Sequence, residues 1–521
     1  MIPRPPAFRG DLIDDPARTD PWSGASGPFF RAPRAVAHPL DVDSVAALVR
    51  WAVQHGIPLI PRGAGTGMPG GNVGDGVVLD LRHLDRVSVV APGLVHAEAG
   101  ATAASARATA REVGRDLPAL PSSAEWCTVG GIAANDAAGA RSFLYGPAHD
   151  WIEALDVVGP DATPRTVRRG DTIDDTGARL REALTAMLPG PLAWPDVRKN
   201  ASGYALDRFL RSGDVVDLWI GSEGTLGVIT GVHLRTTSVP SERGVALLGV
   251  PERSALPRLV ALASDVGATA CEWFGSRLID LGGLGDDERL RGLDRAYGVC
   301  LIEVAGPTPA DVDARLTEVA QRADSIGGVR TTSDASRIDA FWSLRHDASP
   351  RIEALAGRSR RSTQFIEDCV VPVSALPAWL DGLERILASH DVDAVLFGHA
   401  GDGNIHVNPL LDLTDPSWRG VARSVLDEVV ELVARLGGTL SGEHGDGRLR
   451  APFVEKIWGA DVTRAFECVK RTLDPTGVFN PGVILPLPGQ DPLEGFGEAP
   501  DFAERNRGPV RRRTAATSEA T

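Results

Sequence analysis

Three histidines and one glutamate in the last quarter of the chain are the residues best suited to chemistry. His399 and His406 lie in the segment GHAGDGNIHVN, and Glu443 and His444 lie in SGEHGDG. Imidazole and carboxylate groups are ligands of divalent transition metals, and neighbouring glycines allow close approach of the chain. A single histidine is more often a hydrogen-bonded core residue than a ligand. Four such groups in two glycine-rich segments instead favour a metal site.

The spacing within these segments also predicts how the groups would act. If a hairpin turn separates His399 from His406, the two should face each other across neighbouring strands, where Cβ atoms are about 4.5 to 5.5 Å apart. Strand alternation places Asn408 on the face of His406, where its amide could donate to a substrate oxygen. A bound cation could acidify a substrate hydroxyl, and His444 could then act as the base, since imidazole titrates near pH ~6.5.

Glycine-rich loops form a second chemical signal. The segment IPRGAGTGMPGGN, residues 60–72, follows an apolar strand pattern and can bring backbone N–H groups against phosphate oxygens. It contains a formal GxGxxG, but Pro69 and the glycines after it prevent the helix that an NAD fingerprint requires. Two further polar, glycine-rich stretches, residues 121–139 and 221–230, indicate that three loops wrap one long ligand with a pyrophosphate and a ring system.

Together these segments resemble the FAD-linked D-2-hydroxy acid dehydrogenases of the vanillyl-alcohol oxidase (PCMH-type) flavoprotein superfamily, over about residues 35–485. That family includes glycolate oxidase catalytic subunits, D-lactate dehydrogenases and D-2-hydroxyglutarate dehydrogenases. Its patterns PRGxGT, PSS, TxGG and GSEGTLGVIT all occur here. The resemblance implies FAD contacts at Pro61, Arg62, Gly63, Ala64, Gly65, Thr66, Gly67, Pro121, Ser122, Ser123, Thr128, Gly130, Gly131, Asn135, Gly139, Glu223, Gly224, Gly227, Val228, Ile229 and Asn480.

One FAD contact and the mode of flavin attachment leave alternatives open. Asn480 lies in the terminal segment DPTGVFNPG and either touches the cofactor or caps a turn. Some superfamily members attach the flavin through a His or Cys. Residues 60–72 contain no His, and although Cys127 lies near the second loop, the match favours noncovalent FAD over a thiol link.

The same resemblance implies the roles of the catalytic residues. The motifs GHxGDGNxH and GEHGxG imply metal ligands at His399, His406 and Glu443, and a base at His444. The ligand set suits zinc, manganese or iron, with zinc or manganese the expected ion. The W-x-L-R pattern implies that Arg345 binds the substrate carboxylate, which its planar fork can grip with two hydrogen bonds. Ser349, one helical turn later, is a second candidate contact. The alternative role for Arg345 is a surface salt bridge.

One departure bears on the substrate. D-2-hydroxyglutarate dehydrogenases carry a Lys two residues before the Asp of the EDxxVP pattern, and here Ile366 stands at that position. This departure argues against 2-hydroxyglutarate unless Arg358, Arg360 or Arg361 compensates. D-lactate, glycolate and D-2-hydroxyglutarate all stay open as substrate classes.

The implied reaction is oxidation of a small D-2-hydroxy acid to the 2-keto acid, with hydride transfer to flavin N5 and the substrate held on the metal. The alternatives are a noncatalytic or electron-relay FAD-binding subunit of a complex, and a metal-free oxidase or alkyl transferase of the same superfamily. The joint presence of His399, His406, Glu443, His444 and Arg345 argues against a relay, because a relay needs none of them.

The elements that must position these residues follow from sequence periodicity. A capped helix from Asp43 to Gly56 precedes a strand at 57–60, and strand patterns at 394–399 and 405–410 should form a hairpin. The alternation predicts an α+β fold with a turn-rich domain boundary at Ser238. We expect a lead-in at 1–30, a PCMH-type FAD-binding domain at 31–237, an α+β cap (FAD-linked oxidase C-terminal) domain for substrate and metal at 238–485, and a disordered tail at 486–521.

Composition limits the partners. The 521 residues exceed one ordinary core, and the net charge of -15 argues against nucleic acid. The sequence lacks an apolar run of about 18 residues and an N-terminal signal pattern, which predicts a cytoplasmic protein without a transmembrane segment. Its five scattered cysteines do not suggest an iron–sulfur cluster, so electrons should leave to a quinone, a cytochrome, an electron-transferring flavoprotein or a partner subunit. A homodimer is one compatible assembly.

Overall fold

The computed structural model describes residues 5–190, 194–281, 284, 287–355 and 360–497. Over these residues helices and strands are mixed around a four-stranded, a five-stranded and a seven-stranded sheet, with one additional short strand pair. The α+β class expected from the alternating sequence periods is confirmed.

The strands group by sheet. The four-stranded sheet contains β1 (Gly10–Ile13), β2 (Ala35–Pro39), β3 (Leu59–Arg62) and β4 (Val77–Asp80), in the order β1-β2-β4-β3. The five-stranded sheet contains β5 (Val87–Ala91), β6 (Leu94–Glu98), β8 (Ile152–Val158), β9 (Pro164–Arg168) and β10 (Val228–Arg235), in the order β5-β6-β10-β8-β9. The short pair is β7 (Arg115–Asp116) with β11 (Thr237–Ser238). The seven-stranded sheet contains β12 (Glu242–Val250), β13 (Ala270–Gly275), β14 (Gly298–Gly306), β15 (Val329–Thr332), β16 (Arg360–Ser362), β17 (Asp393–His399) and β18 (Asn404–Asp412), in the order β15-β12-β14-β13-β17-β18-β16.

The α-helices cover and connect these sheets. They are α1 (Pro16–Thr19), α2 (Val42–His55), α3 (Ala103–Glu112), α4 (Val129–Asn135), α5 (Ser142–Tyr145), α6 (Asp175–Met187), α7 (Leu206–Ser212), α8 (Val216–Trp219), α9 (Leu256–Asp265), α10 (Ser276–Leu281), α11 (Pro309–Gly327), α12 (Ala335–His346), α13 (Ala348–Leu355), α14 (Leu376–Ser389), α15 (Trp418–Arg435), α16 (Gly447–Arg450) and α17 (Val454–Leu473). Short 3-10 turns lie at Asp20–Trp22, Ala148–Trp151, Arg253–Ala255, Glu288–Leu290, Val373–Ala375, Ala400–Asp402 and Ala451–Phe453.

Local signals explain where the helices begin and end. In α2 the Asp41 carboxylate accepts the N–H of Ser44 at 2.8 Å, and Gly56 follows the last turn with a φ of 61°. An acidic N-cap and a left-handed glycine satisfy the unpaired groups at helix ends. The helix therefore begins slightly before the expected Asp43 and ends where Gly56 predicts.

The seven-stranded sheet forms the centre of the second half. Its strands pair antiparallel throughout, including the expected hairpin of β17 and β18, which is confirmed. Helices α9, α11, α14 and α15 contribute buried apolar residues to one core, and α10, α12 and α13 contribute to a second. The two cores hold the hairpin between layers of helix, which limits its freedom to move.

Both ends of the described chain are folded more closely than their composition indicates. Strand β1, which lies inside the expected lead-in at 1–30, pairs with β2 of the first domain. Phe29 packs edge-on against Phe496, with ring centroids 5.4 Å apart. Residues 486–489 are exposed, but Leu493 and Phe496 are buried, so the chain is folded up to residue 497 and the expected disordered tail does not begin at 486. Burial of these apolar side chains outweighs the local Pro and Gly content. Residues 498–521 lie outside the described residues.

No helix within the described ranges is both long enough and apolar enough to cross a membrane.

Candidate functional site

A cavity of about 790 Å³ lies where the loops of the first two sheets face the seven-stranded sheet. This volume is within the range of small-molecule and cofactor sites. One wall is formed by the three glycine-rich loops, and the other carries Arg345, His399, Glu443 and His444. The cavity therefore joins the two groups of residues that the sequence singled out separately.

Most residues predicted to contact FAD line this cavity. They are Pro61, Arg62, Gly63, Ala64, Gly65, Thr66, Gly67, Pro121, Ser122, Ser123, Thr128, Gly130, Gly131, Asn135, Gly139, Glu223, Gly224 and Ile229. Gly65 has a φ of 78°, and a Cβ there would lie 2.3 Å from the Arg62 guanidinium, so this turn requires glycine. A long cleft with backbone exposed along three loops fits a dinucleotide cofactor.

Three predicted contacts do not line the cavity. Val228 is buried in the core beside α2, and a Cβ on Gly227 would lie 2.7 Å from the ring of Trp219. The Asn480 amide donates to the carbonyl oxygens of Gly71 and Glu223, at 2.7 and 2.8 Å. These residues hold the loops in place from behind.

Cys127 lies on the cavity wall but is a poor candidate for a covalent flavin link. Its side chain is buried, and burial raises the pKa of the thiol to about 11. The thiol therefore stays protonated near neutral pH, whereas the thiolate is the nucleophile. This chemistry fits noncovalent FAD.

The hairpin brings His399 and His406 together diagonally. His399 pairs with Asn404 and His406 pairs with Phe397. The two histidines are therefore not directly opposite each other, and the sequence-based prediction that they face each other across the strands is wrong in this detail. Their rings are nonetheless 5.1 Å apart, at an interplanar angle of 82°. The short 3-10 turn at Ala400–Asp402 connects the two strands, and His399 lies on the cavity wall with His406 buried beside it.

Glu443 completes a three-ligand cluster with these histidines. Its Oε1 lies 3.1 Å from His399 Nε2 and 3.3 Å from His406 Nε2. A tetrahedral zinc ion with bonds of about 2.0 to 2.1 Å needs ligand atoms roughly 3.3 Å apart. The donor atoms, their spacing and their burial thus fit a divalent cation.

The outer hydrogen bonds of both imidazoles suit metal ligation. His399 Nδ1 lies 2.6 Å from Oε1 of the buried Glu272, and His406 Nδ1 lies 3.1 Å from the backbone oxygen of Glu367. When Nδ1 donates to such an acceptor, Nε2 is the nitrogen with a free lone pair. Burial also lowers the pKa of His406, which keeps its ring neutral.

Lys199 holds the other oxygen of the ligand carboxylate. Its buried ammonium lies 2.7 Å from Glu443 Oε2. Burial opposes charge on Glu443, but Lys199 and His399 outweigh it and hold the pKa of this carboxyl well below its usual range. The carboxylate is therefore ionised, with Oε1 directed to the histidines.

His444 projects beside this cluster into the cavity. Its Nδ1 lies 2.7 Å from Glu367 Oε2, and Arg450 donates to Oε1 of the same glutamate at 2.5 Å. Its Nε2 lies 3.7 Å from Glu443 Oε1, and its side chain is 27% exposed. Burial lowers the pKa of His444, but the charges of Glu367 and Asp368 outweigh burial and raise it to about 9. Glu367 thereby orients the ring with Nε2 towards the open cavity.

Arg345 lies on the cavity wall close to the predicted metal ligands. Its Nε donates to Glu272 Oε2 at 3.0 Å, and its guanidinium lies over the ring of Phe397 at 4.7 Å. Glu272 therefore contacts both the predicted substrate arginine and the predicted ligand His399.

The other predicted substrate contacts are placed differently. Asn408 is buried outside the cavity, where its amide donates to Val395 and its oxygen accepts from Ser362 and Gln364. The side chain of Ser349 and all of Arg358 lie outside the described residues. Ile366 is buried in the apolar core, while Arg360 and Arg361 lie on strand β16, away from the cavity lining.

Four residues that support the site had no assigned role from sequence: Lys199, Glu272, Glu367 and Arg450. For Glu272 a signal existed, because ACEWFG is an otherwise apolar strand in which every residue is buried. A buried carboxylate within such a strand needs a charged partner, and charged partners gather at functional sites.

Comparison with known proteins gives two family matches. Residues 33–168 match an FAD binding domain, and residues 239–484 match the C-terminal domain of FAD linked oxidases. The chain is 30% identical to a D-2-hydroxyglutarate dehydrogenase of Xanthomonas citri pv. viticola, over 87% of this chain and 89% of that protein. It is 27% identical to a D-lactate dehydrogenase of Archaeoglobus fulgidus, over 88% of this chain and 94% of that protein.

Relative length and solved structures add two facts. The chain spans about half the length of the D-2-hydroxyglutarate dehydrogenases of Pantoea ananatis and Escherichia coli that it also matches, at 50% and 51%. The fold is similar to that of p-cresol methylhydroxylase, with a TM-score of 0.66 at 14% identity, over 92% of this chain and 95% of that one. The PCMH-type fold expected from sequence is thereby confirmed.

Proposed function

Because the chain belongs to the FAD-linked oxidase family and is an FAD-linked oxidoreductase, we propose that it oxidises a small D-2-hydroxy acid to the corresponding 2-keto acid. The observation that carries this proposal is the presence of His399, Glu443 and His444 on one wall of the cavity whose other wall is formed by the FAD-binding loops, with His406 within ligand distance of His399 and Glu443. Relatives named for D-2-hydroxyglutarate and D-lactate oxidation support the substrate class.

Each group in this wall has a role in the proposed reaction. Bound FAD would supply the hydride acceptor at N5, and a divalent ion would supply positive charge that acidifies the substrate hydroxyl. His399, His406 and Glu443 would hold that ion, with zinc or manganese the expected identities. Arg345 would bind the substrate carboxylate, since its guanidinium lines the same wall.

His444 would remove the hydroxyl proton at Nε2. The carboxylates around it favour its protonated form, with a pKa of about 9. A cation held by neighbouring Glu443 opposes this effect, because like charges disfavour a second positive group. A filled site would therefore lower the pKa of His444 towards the neutral imidazole that a base requires, and Glu367 would hold the ring with its other nitrogen towards the cavity.

Turnover would require an external acceptor for the two electrons removed from the substrate. Cys271 and Cys300 place their buried sulfurs 3.8 Å apart, but no group of three or more possible metal ligands in the described residues includes a cysteine. The described cysteines therefore offer no iron–sulfur cluster site for electron transfer. A quinone, a cytochrome, an electron-transferring flavoprotein or a partner subunit would take the electrons.

Anaerobic flavin bleaching tests this proposal. The FAD-loaded protein, supplied with zinc or manganese, is mixed with D and L forms of lactate and 2-hydroxyglutarate and with glycolate. We expect at least one D acid or glycolate to bleach the flavin and chelation to abolish bleaching. Ile366 offers no charge for a second carboxylate, so D-lactate or glycolate should bleach faster than D-2-hydroxyglutarate.

Matched variants separate the site from the rest of the protein. Glu443→Gln should slow bleaching by about 100-fold or more, since loss of only an outer partner of a metal ligand already costs about 10- to 100-fold. Glu428→Gln, which removes a surface carboxylate paired with His390, should leave the rate unchanged. A flavin that stays oxidised with every acid would contradict the proposal. Bleaching that survives chelation would favour a metal-free oxidase.

A further inference from the structure

We propose a second divalent-metal site on the five-stranded sheet, formed by His96, Asp156 and His233. These residues lie on β6, β8 and β10, the three central strands of that sheet. None of the three lines the cofactor cavity, so this site is separate from the proposed active site and does not depend on its function.

The strand register places the three side chains together. His96 pairs directly with His233 across β6 and β10. Asp156 pairs with Gly231, two residues before His233 on β10. Because side chains two residues apart share one face of a strand, all three groups project from the same face of the sheet.

The distances suit one ion. Asp156 Oδ2 lies 2.8 Å from His96 Nε2, and Asp156 Oδ1 lies 3.5 Å from His233 Nε2. The imidazole rings are 4.6 Å apart. The two oxygen–nitrogen distances lie on either side of the roughly 3.3 Å between ligand atoms that tetrahedral zinc requires. Small side-chain rotations would therefore admit the ion and leave one coordination position for water.

Gly231 provides the space in which this cluster forms. A Cβ at this position would lie 2.5 Å from Asp156 Oδ2 and 2.8 Å from His96 Nε2. Any side chain on Gly231 would therefore separate the two ligands. The glycine lets His96 reach across β10 to a carboxylate on β8.

The carboxylate is fixed and ionised. Thr166, opposite Asp156 on β9, donates its hydroxyl to Oδ1 at 2.6 Å. Burial would raise the pKa of Asp156, but its bonds to His233, His96 and Thr166 outweigh burial and lower the pKa. The side chains are 25%, 29% and 15% exposed for His96, Asp156 and His233, so an ion can enter from solvent.

The second site should bind more weakly than the cluster in the cavity. His233 Nδ1 is buried and has no hydrogen-bond partner in the described part of the chain, whereas the Nδ1 atoms of His399 and His406 both have one. Loss of such an outer partner typically reduces metal affinity about 10- to 100-fold. Binding should therefore occur in two distinguishable steps.

Zinc titration of the FAD-loaded full chain, first stripped of metal by a chelator, tests this site. Competition with a metallochromic dye should show two equivalents for the wild type. His96→Gln and Asp156→Asn should each lose the weaker equivalent and keep the tighter one, with unchanged flavin absorbance. His390→Gln, which removes a surface histidine paired only with Glu428 in the described contacts, should still bind two.

Two results would overturn the site. One is a wild type without a weaker step, and the other is a weaker step that persists in both His96→Gln and Asp156→Asn. If either variant fails to fold, anomalous scattering at the zinc edge from wild-type crystals decides the matter. A peak between the Nε2 atoms of His96 and His233 supports the site, and its absence at saturating zinc overturns it.

Discussion

Glu272 is a single residue on which two predicted functional side chains depend. Its Oε1 binds His399 Nδ1, and its Oε2 accepts from Arg345 Nε. Burial alone would raise the pKa of Glu272, but His399 and Arg345 outweigh it and lower the pKa to about 2. The ionised carboxylate thus orients the predicted metal ligand His399 and the predicted substrate-binding Arg345 at the same time.

We expect Glu272→Gln to weaken binding of zinc or manganese in the cavity by about 10- to 100-fold, because His399 loses its charged outer partner. The KM for the hydroxy acid should rise as well, because Arg345 loses its anchor. Chelator competition on the FAD-loaded protein measures the metal affinity, and initial rates give the KM.

A neighbouring buried carboxylate provides the control for this variant. Glu303 lies on the adjacent strand β14, where it accepts hydrogen bonds from Arg141 and Trp342 and does not contact His399. Glu303→Gln should leave the metal affinity unchanged. Equal weakening in both variants would mean that loss of any buried charge, and not loss of the His399 contact, causes the effect.

At the scale of elements, His149 joins the end of α4 to α8. Its ring is fully buried, with Nε2 2.7 Å from Asp217 and Nδ1 3.4 Å from Asp136. Burial would lower the pKa of His149, but the two carboxylates outweigh burial and raise it. The charged histidine thereby connects two helices behind the FAD-binding loops.

The stability contributed by His149 should fall as the pH rises. Its folded pKa lies above the unfolded value of ~6.5, so the protonated contact stabilises fully below ~6.5 and is lost as the pH rises through the raised pKa. The difference in free energy of unfolding between wild type and His149→Gln should therefore be larger at pH 6 than at pH 9. Urea denaturation at both values measures it. In an Asp217→Asn background the pH trend should shrink, and an unchanged trend there would contradict this assignment.

At the scale of the whole molecule, Asn480 connects segments that are distant in sequence. Its amide donates to Gly71 and Glu223, and its oxygen accepts from Arg448 at 3.0 Å. These contacts join two cofactor loops to the segment that follows the glutamate ligand. The shape of the cavity therefore depends on a residue that does not line it.

We expect Asn480→Gly to weaken FAD binding by about tenfold, since one unsatisfied buried partner costs about 1 to 3 kcal/mol. FAD retention is measured by ultrafiltration and flavin absorbance. Asn480 has a φ of 42°, which glycine adopts freely. Asn480→Ala should lose as much FAD and also lower Tm further, because alanine is strained there. Unchanged retention in both variants would contradict the role.

The sequence by itself determined the local parts of this protein. Periodicity and turn residues act over a few positions of sequence. They predict the end of α2 at Gly56, the hairpin of β17 and β18, and the glycine loops. The motif residues His399, His406 and Glu443 were also identifiable, and the structure brings them within ligand distance.

Only the tertiary structure decided how these parts meet. Lys199 contacts Glu443, which lies 244 positions later in the sequence. The Asn408 amide donates to the carbonyl oxygen of Val395 and does not face the cavity. The bend at Ala400–Asp402 sets the diagonal pairing of the two histidines. Contacts of this kind depend on how sheets and loops pack in three dimensions, which the spacing of residues along the chain does not reveal.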